Sequence, residues 1–384
     1  MRGVRAVCAW SACLTALGFA PGCDRISFAT PPRTLYHASP HFANAFCCHF
    51  VLDVVQYIKR RRILLAMYNT IHRDSDYTNS LKDFICKEYS IDAIAIAPAK
   101  RGYYGETWKL ETNKRNYFVK IDYFPRHQNV FRNSLPVMQY LCDNGIDFIG
   151  AIVKTIRGEL FSCFNAAILA VFDWIDGVNI ETDDTKTPEY QMLCKIYPLT
   201  KLGFDIPTIA FSDDTATRFF DKWESLKKLT ASDANDKVKA ILEYRSDELL
   251  HRRARLKHFA SLCQGDTDDF YITHGDAGGN FFVAKDKNYI VDWDEVMYAP
   301  LERDAWVMGC REWARKLFND TLREHNIGYE LRPERLAFYC YHMYFLYLSE
   351  FLDDFMLHGI LSNIEEYFDE GYFMYERINF ADMI

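Results

Sequence analysis

The sequence predicts an α+β chain of two lobes, a small antiparallel sheet with one helix followed by a larger helical half. Three observations carry this. Residues 93–177 alternate apolar and polar side chains in short runs separated by Gly- and Asn-bearing turns, the period-two pattern of strands. After Gly177 the apolar residues recur at helical spacing through four long stretches. A short-strand segment around 271–294 interrupts those helices. Strands first and helices after, with no internal repeat, is the layout of an α+β fold.

Taken in order, "TNSLKDFICKEYS" at 78–90 reads as an amphipathic helix, with Leu81, Phe84 and Ile85 on one face and Asn79 or Ser80 as its cap. The run from Ile94 to Phe124 is a three-strand meander, turning at 100–105 and at "TNKRN". "NVFRNSLPVMQYLCDNG" has helical spacing and stops at Gly145; Pro136 is tolerated there if the helix begins near it. A second strand pair follows over 150–177, with its turn at Arg157–Gly158. The helical half comprises stretches near 187–202, 215–229, 234–262 and 332–374.

The formal charge of -8 conceals an asymmetry. Residues 1–66 hold eight Lys and Arg against two Asp and Glu, leaving 37 against 51 for the remainder. An acidic globular part argues against nucleic acid and anionic membrane as partners and suits a cationic ligand. Twelve cysteines are scattered without a CxxC pair or zinc-like spacing, so they read as reduced, mostly packed thiols. "MRGVRAVCAWSACLTALGFAPGCDR" has a weak secretory or lipoprotein-like pattern before Cys23, and "KRRR" follows at 59–62. Organised patterning begins only after these, so residues 1–66 are expected to lie outside the fold, with Met67 a candidate start. A lobe of 67–177 would then precede a helical lobe of 178–384.

The chemistry concentrates in "THGDAGGN", 273–280. Strand residues flank a loop that displays Asp276 and Asn280 together. A carboxylate can orient and deprotonate a hydroxyl, and an amide oxygen can ligate a hard cation. His274 reads as structural, bonding backbone to hold the loop. "YIVDWD" then brings Asp292 to the same end as Asn280, giving two oxygen ligands from adjacent strands. Upstream, Gly102 and Gly105 flank a strand bend where bare backbone could approach phosphate, and Lys120 in "YFVKID" points away from the core. A phosphate cover, a cation, metal ligands and a carboxylate base thus occur in the order that phosphoryl transfer from ATP requires.

"HGDAGGN" followed by "IVDWDE" resembles the catalytic loop and metal-binding segment of the aminoglycoside phosphotransferase family, whose fold is protein-kinase-like. The run "IVDWDEVMYAPLERDAW" most resembles its spectinomycin-phosphorylating branch. The resemblance spans roughly 79–355. It implies Asp276 as catalytic base, Asn280 and Asp292 as magnesium ligands, and Lys120 on ATP phosphates. In "FDWIDG" it implies that the Asp173 carbonyl and the Ile175 amide hydrogen-bond adenine. Asp304 would brace the loop from a helix start, where it also reads as an N-cap. The chain departs from the family in three ways. Only Ala277, Gly278 and Gly279 separate the loop Asp from its Asn, where four residues are usual; the glycines are expected to bridge the shortfall through positive φ. The glutamate that normally pairs with the lysine is replaced by Arg132, Asn133 and Ser134. The acceptor acids have no matching positions, which leaves Glu350, Asp353 and Asp354 as candidates.

The expectation is therefore a cytoplasmic, ATP- and magnesium-dependent O-phosphotransferase acting on a small cationic molecule such as an aminoglycoside or spectinomycin-like antibiotic. Alternatives are a choline, homoserine or sugar kinase of the same fold, a nucleotide-binding pseudokinase-like protein, and a surface protein anchored through Cys23.

Overall fold

The computed structural model describes residues 73–99, 105–265 and 269–384. The expectations for residues 1–66, for Met67 and for Gly102 fall outside them. Helix α1 (Ser75–Tyr89) starts earlier than its apolar face suggested, because Asp74 accepts from the Tyr77 amide and caps it. Strands β1 (Ala93–Pro98), β2 (Gly105–Thr112) and β3 (Tyr117–Asp122) form the expected meander. Gly105 is the first residue of β2, opposite Asp122, and not part of a bend. A Cβ there would lie 1.9 Å from the Ile121 carbonyl oxygen, so only glycine lets the two backbones approach. Gly105→Ala is expected to cost about 1–3 kcal/mol of stability by overpacking, measured by urea unfolding; an unchanged midpoint would show that β2 need not start at this residue.

Helix α2 (Pro125–Asp143) runs straight through Pro136, contrary to the expectation that it begins there. Proline removes the partner of the Arg132 carbonyl, but both residues face solvent, so water can take the bond. The second strand group also has one more member than expected. Strands β4 (Ile152–Val153) and β5 (Ser162–Phe164) both pair with β6 (Ala167–Asp173). The β5–β6 turn lies at Asn165–Ala166, both at positive φ, a hairpin that the alanine disguised. The resulting sheet runs β1-β2-β3-β6-β4, with β5 on β6 as well.

Its two faces divide by alternation. Val119, Ile121, Leu169 and Val171 pack under α1 with Leu81 and Ile85. Ala170 and Phe172 face α2, whose Phe131 and Leu135 belong to the same apolar cluster as the helical half. Lys120, between Val119 and Ile121, stands on this second face at the cleft.

After Asp173 the chain crosses to β7 (Gly177–Asn179), which pairs with β9 (Phe281–Ala284), itself paired with β10 (Asn288–Ile290). Strand β8 (Tyr271–Thr273) pairs with β11 (Met297–Ala299). The helices are α3 (Lys186–Ile196), α4 (Asp214–Lys227), α5 (Asp233–Tyr244), α6 (Ser246–Cys263), α7 (Glu302–Gly309), α8 (Glu312–Glu324), α9 (Pro333–His358), α10 (Ser362–Tyr367) and α11 (Phe373–Asp382). The stretch read as one helix over 234–262 breaks at Arg245. The last stretch ends at Gly359, whose φ of 71° terminates α9. The central α9 buries an almost continuous aromatic and aliphatic face from Leu336 to Phe355, which explains its apolar sequence. Among the described residues no helix is long and apolar enough to cross a membrane.

Candidate active site

The loop between β8 and β9 is held from below by two buried residues. His274 contacts the Val291 carbonyl through Nε2 at 2.8 Å, and its Nδ1 lies 3.2 Å from the Asp276 amide. An acceptor at Nδ1 leaves the proton on Nε2, so the ring is the neutral tautomer. Burial agrees, pushing its pKa down to about 4. The edge of His274 meets the Trp293 ring, centroids 4.6 Å apart. The structural reading of this histidine therefore matches its contacts.

Asp304 accepts from the Gly275 amide and, at 3.0 Å, from the Tyr197 hydroxyl. It does brace the loop, but as the third residue of α7 and not as its N-cap, which is Leu301. Burial raises its pKa. Arg303 lies behind Gly275, donating to Thr273 and to the Glu295 carbonyl. Gly275 sits at φ 89°, and a side chain there would strike the Arg303 guanidinium.

The short loop is closed differently from expectation. Gly278 to Asn280 form a 3-10 turn, and neither Gly278 nor Gly279 has positive φ. They are required for space: a Cβ on Gly279 would lie 2.7 Å from Asp276 Oδ1, and one on Gly278 would lie 2.4 Å from Lys186 Nζ. The tight turn folds Asn280 back so that its Nδ2 donates to the Asp276 carbonyl at 2.9 Å and to Oδ2 at 3.1 Å. Its amide oxygen is then directed elsewhere. The Asn280 carbonyl accepts from Val291, one step beyond the Ile290–Phe281 pair, which sets Asn280 beside Asp292.

Asp276 is exposed at the loop surface, yet crowded by neighbouring protein and acidic groups. Desolvation, then the charges of Glu181, Asp292, Glu295 and Glu189, raises its pKa to about 7. A carboxyl so tuned can accept a proton near neutrality.

Asp292 has φ 64°, the left-handed region, which among L residues Asp and Asn tolerate best. Its Oδ1 accepts from Lys120 Nζ at 2.6 Å, and Asp294 pairs with the same ammonium. Burial works against charging Lys120, but Asp292 and then Asp294 outweigh it and raise its pKa. Burial lifts the Asp294 carboxyl to about 6 even against that attraction. Where a glutamate was missed on α2, the Phe131 ring instead faces the ammonium at 5.6 Å. Asp294 was not singled out from the sequence, although "DWDE" displayed it.

The structure therefore joins Asp276 to Asn280 and Lys120 to Asp292, and sets Gly105 at the start of β2, opposite Asp122. The Asp173 amide bonds Ala151, while the Trp174 amide bonds Asn116 on the opposite side. Of the three candidate acids, Asp353 is engaged by Lys222 at 2.6 Å. Glu350 is raised to about 7 by burial and then by Glu295 and Asp354, and Tyr347 on α9 feels both Asp276 and Glu350. Glu181, Glu295 and Tyr347 carried no sequence signal of their own, since they come from three separate segments.

A family model described as the phosphotransferase enzyme family matches residues 95–339, from β1 into α9. The chain belongs to this family. Solved phosphotransferases and kinases share its fold. Spectinomycin phosphotransferase in complex with ADP and spectinomycin superposes with a TM-score of 0.66 at 17% identity, covering 80% of this chain and 98% of that one. Amicoumacin kinase in complex with AMP-PNP and Ca2+ gives 0.55 at 14%, covering 79% and 93%. Choline kinase from Streptococcus pneumoniae gives 0.54 at 14%, covering 81% and 100%. No curated protein sequence matches the chain. At these identities the likeness establishes a bilobal, kinase-like phosphotransferase fold and leaves the acceptor of this family member open.

Proposed function

We propose that this phosphotransferase moves the γ-phosphoryl group of ATP to a hydroxyl of a small cationic molecule, with Asp276 as base. The observation that supports the reading is the convergence of Asp276, Asn280, Asp292 and Lys120 from three chain segments, with Asn280 on Asp276 and Lys120 on Asp292. Asp276 aligns the acceptor hydroxyl and takes its proton as the oxygen bonds to γ-phosphorus and the β–γ bridging P–O bond breaks, ADP departing. Lys120 neutralises phosphate charge, the Asp173 carbonyl and Ile175 amide hold adenine, and the backbone at Gly105 approaches the phosphates. The Lys120 ammonium seated between Asp292 and Asp294 supports a cation at this corner. Asn280 Oδ1 and Asp292 would hold magnesium, which supplies charge neutralisation on the phosphates when bound. Two protein oxygens suit a cation that keeps waters and phosphates as its other ligands.

Glu181 and Glu295 act on Asp276, and Glu295 also acts on Glu350, an acidic grouping that supports an ammonium-bearing acceptor such as an aminocyclitol antibiotic. The fold likeness to choline kinase supports a cationic metabolite as the second reading. The test is magnesium-dependent ADP release with spectinomycin, aminoglycosides, choline and neutral polyols. Transfer to polyols alone would refute the cationic acceptor. No acceptor-dependent release with any of them would favour a nucleotide-binding protein without transfer. Since Asp276 must be unprotonated to act, kcat/KM is expected to climb as pH rises through about 7 and to level above it; a flat profile from pH 5.5 to 8.5 would exclude it as base. A requirement for ATP agrees with residence in the cytoplasm, and the lobes are taken as 67–177 and 178–384.

A further inference from the structure

Beneath the loop lies a charged pair that the mechanism above does not use. Lys186, the first residue of α3, and Glu189, one turn on, form an ion pair at 2.8 Å. Both side chains are about 3% exposed. A Cβ on Gly278 would lie 2.4 Å from Lys186 Nζ and 3.3 and 3.4 Å from the two Glu189 oxygens, so the loop backbone rests directly on the pair. The turn before α3 is itself fixed, since Thr182 and Thr185 cap each other's backbone. Burying two charges costs several kcal/mol, and an apolar pair of similar volume serves stability as well or better. A charged pair here is therefore better explained by its effect on the loop.

We infer that Lys186 and Glu189 are positioning residues for transfer, supporting the Gly278 turn from below. This deepens, and rests on, the reading of Asp276 as base. The pair reaches Asp276 through the loop. The 3-10 turn that stands on it also folds Asn280 onto the Asp276 carboxylate. On its own side Glu189 meets Lys186, Glu181 and Asp304 of α7, and burial lifts it to about 7.

The experiment compares wild type with Glu189→Gln and with the double variant Lys186→Met/Glu189→Met, which leaves no unpaired buried charge and so protects the fold. Rates are measured with magnesium ATP and the best acceptor among spectinomycin, aminoglycosides and choline. Nucleotide affinity is read from fluorescent ADP, and amide exchange is followed for the peptide spanning 274–280. The double variant is expected to lose about 10²-fold in kcat, the scale of a small misplacement of reacting groups, with KM for ATP and ADP affinity within about twofold of wild type. Exchange across 274–280 should quicken by at least about tenfold. Glu189→Gln keeps the side-chain volume and an oxygen for Lys186, so its kcat should fall between wild type and the double variant. A pair that merely filled space would leave kcat of the double variant, whose methionines are of similar volume, at the wild-type value. Unchanged kcat or unchanged exchange across 274–280 in the double variant overturns the inference. If wild type phosphorylates no acceptor, the functional reading fails, and loop exchange decides alone: protection equal to wild type in the double variant then overturns the inference.

Discussion

Asp276→Ala is expected to lower acceptor phosphorylation by about 10²–10⁴-fold, the usual contribution of a positioned general base, while ADP still binds. The expectation follows from where the carboxylate stands. Among the described residues it has no ion pair, its side chain accepts from the Asn280 amide at 3.1 Å, and it is exposed. Removing it deletes the proton acceptor without leaving a buried cation unpaired, so stability should change little. The nucleotide contacts proposed above, Lys120 and the 173–175 segment, belong to β3 and the end of β6 and not to the loop that carries Asp276. Single-turnover rates with radiolabelled ATP, beside a fluorescent ADP titration, separate the two effects. Transfer within about tenfold of wild type would remove Asp276 from the mechanism.

Asp292→Asn is expected to raise the magnesium concentration needed for half-maximal rate by at least about tenfold and to lower kcat by about 10²-fold, because a hard cation loses its charged oxygen ligand. Asparagine is the informative replacement. It tolerates the left-handed backbone that Asp292 adopts at φ 64°, so the loop should keep its course. Asp294 still pairs with Lys120, which limits the loss of structure. Initial rates titrated with magnesium at fixed ATP measure it. A variant with the wild-type magnesium dependence would move the cation site away from Asp292.

Much of this was legible in the sequence, for identifiable reasons. The alternation around Lys120 fixes which face of β3 it occupies, because a strand has only two. The spacing of "THGDAGGN" and "IVDWDE" sets Asn280 and Asp292 beside each other, because the two short strands pair through a tight turn. Other features had no local cause. Alanine at 166 conceals a hairpin, since nothing in its side chain announces positive φ. The glycine pair was expected to supply unusual dihedrals and instead makes room for Asp276 and Lys186, which only the assembled loop reveals. Lys186 and Glu189 sit some 90 residues before the loop they touch. Pro136 misled because its breaking effect is local, while the solvent that relieves it is a property of the whole surface.

The clasp of Lys120 by Asp292 and Asp294 has a thermodynamic corollary. On the proposed reading the ammonium and a divalent ion would compete for the same carboxylate, and a phosphate chain would compete with that carboxylate for the ammonium. A nucleotide that drew Lys120 away would bare two negative groups, and a cation that settled there would release Lys120 toward the nucleotide. Each ligand would then remove a cost the other would bear alone, so their binding is expected to be cooperative, each tightening the other by the same factor.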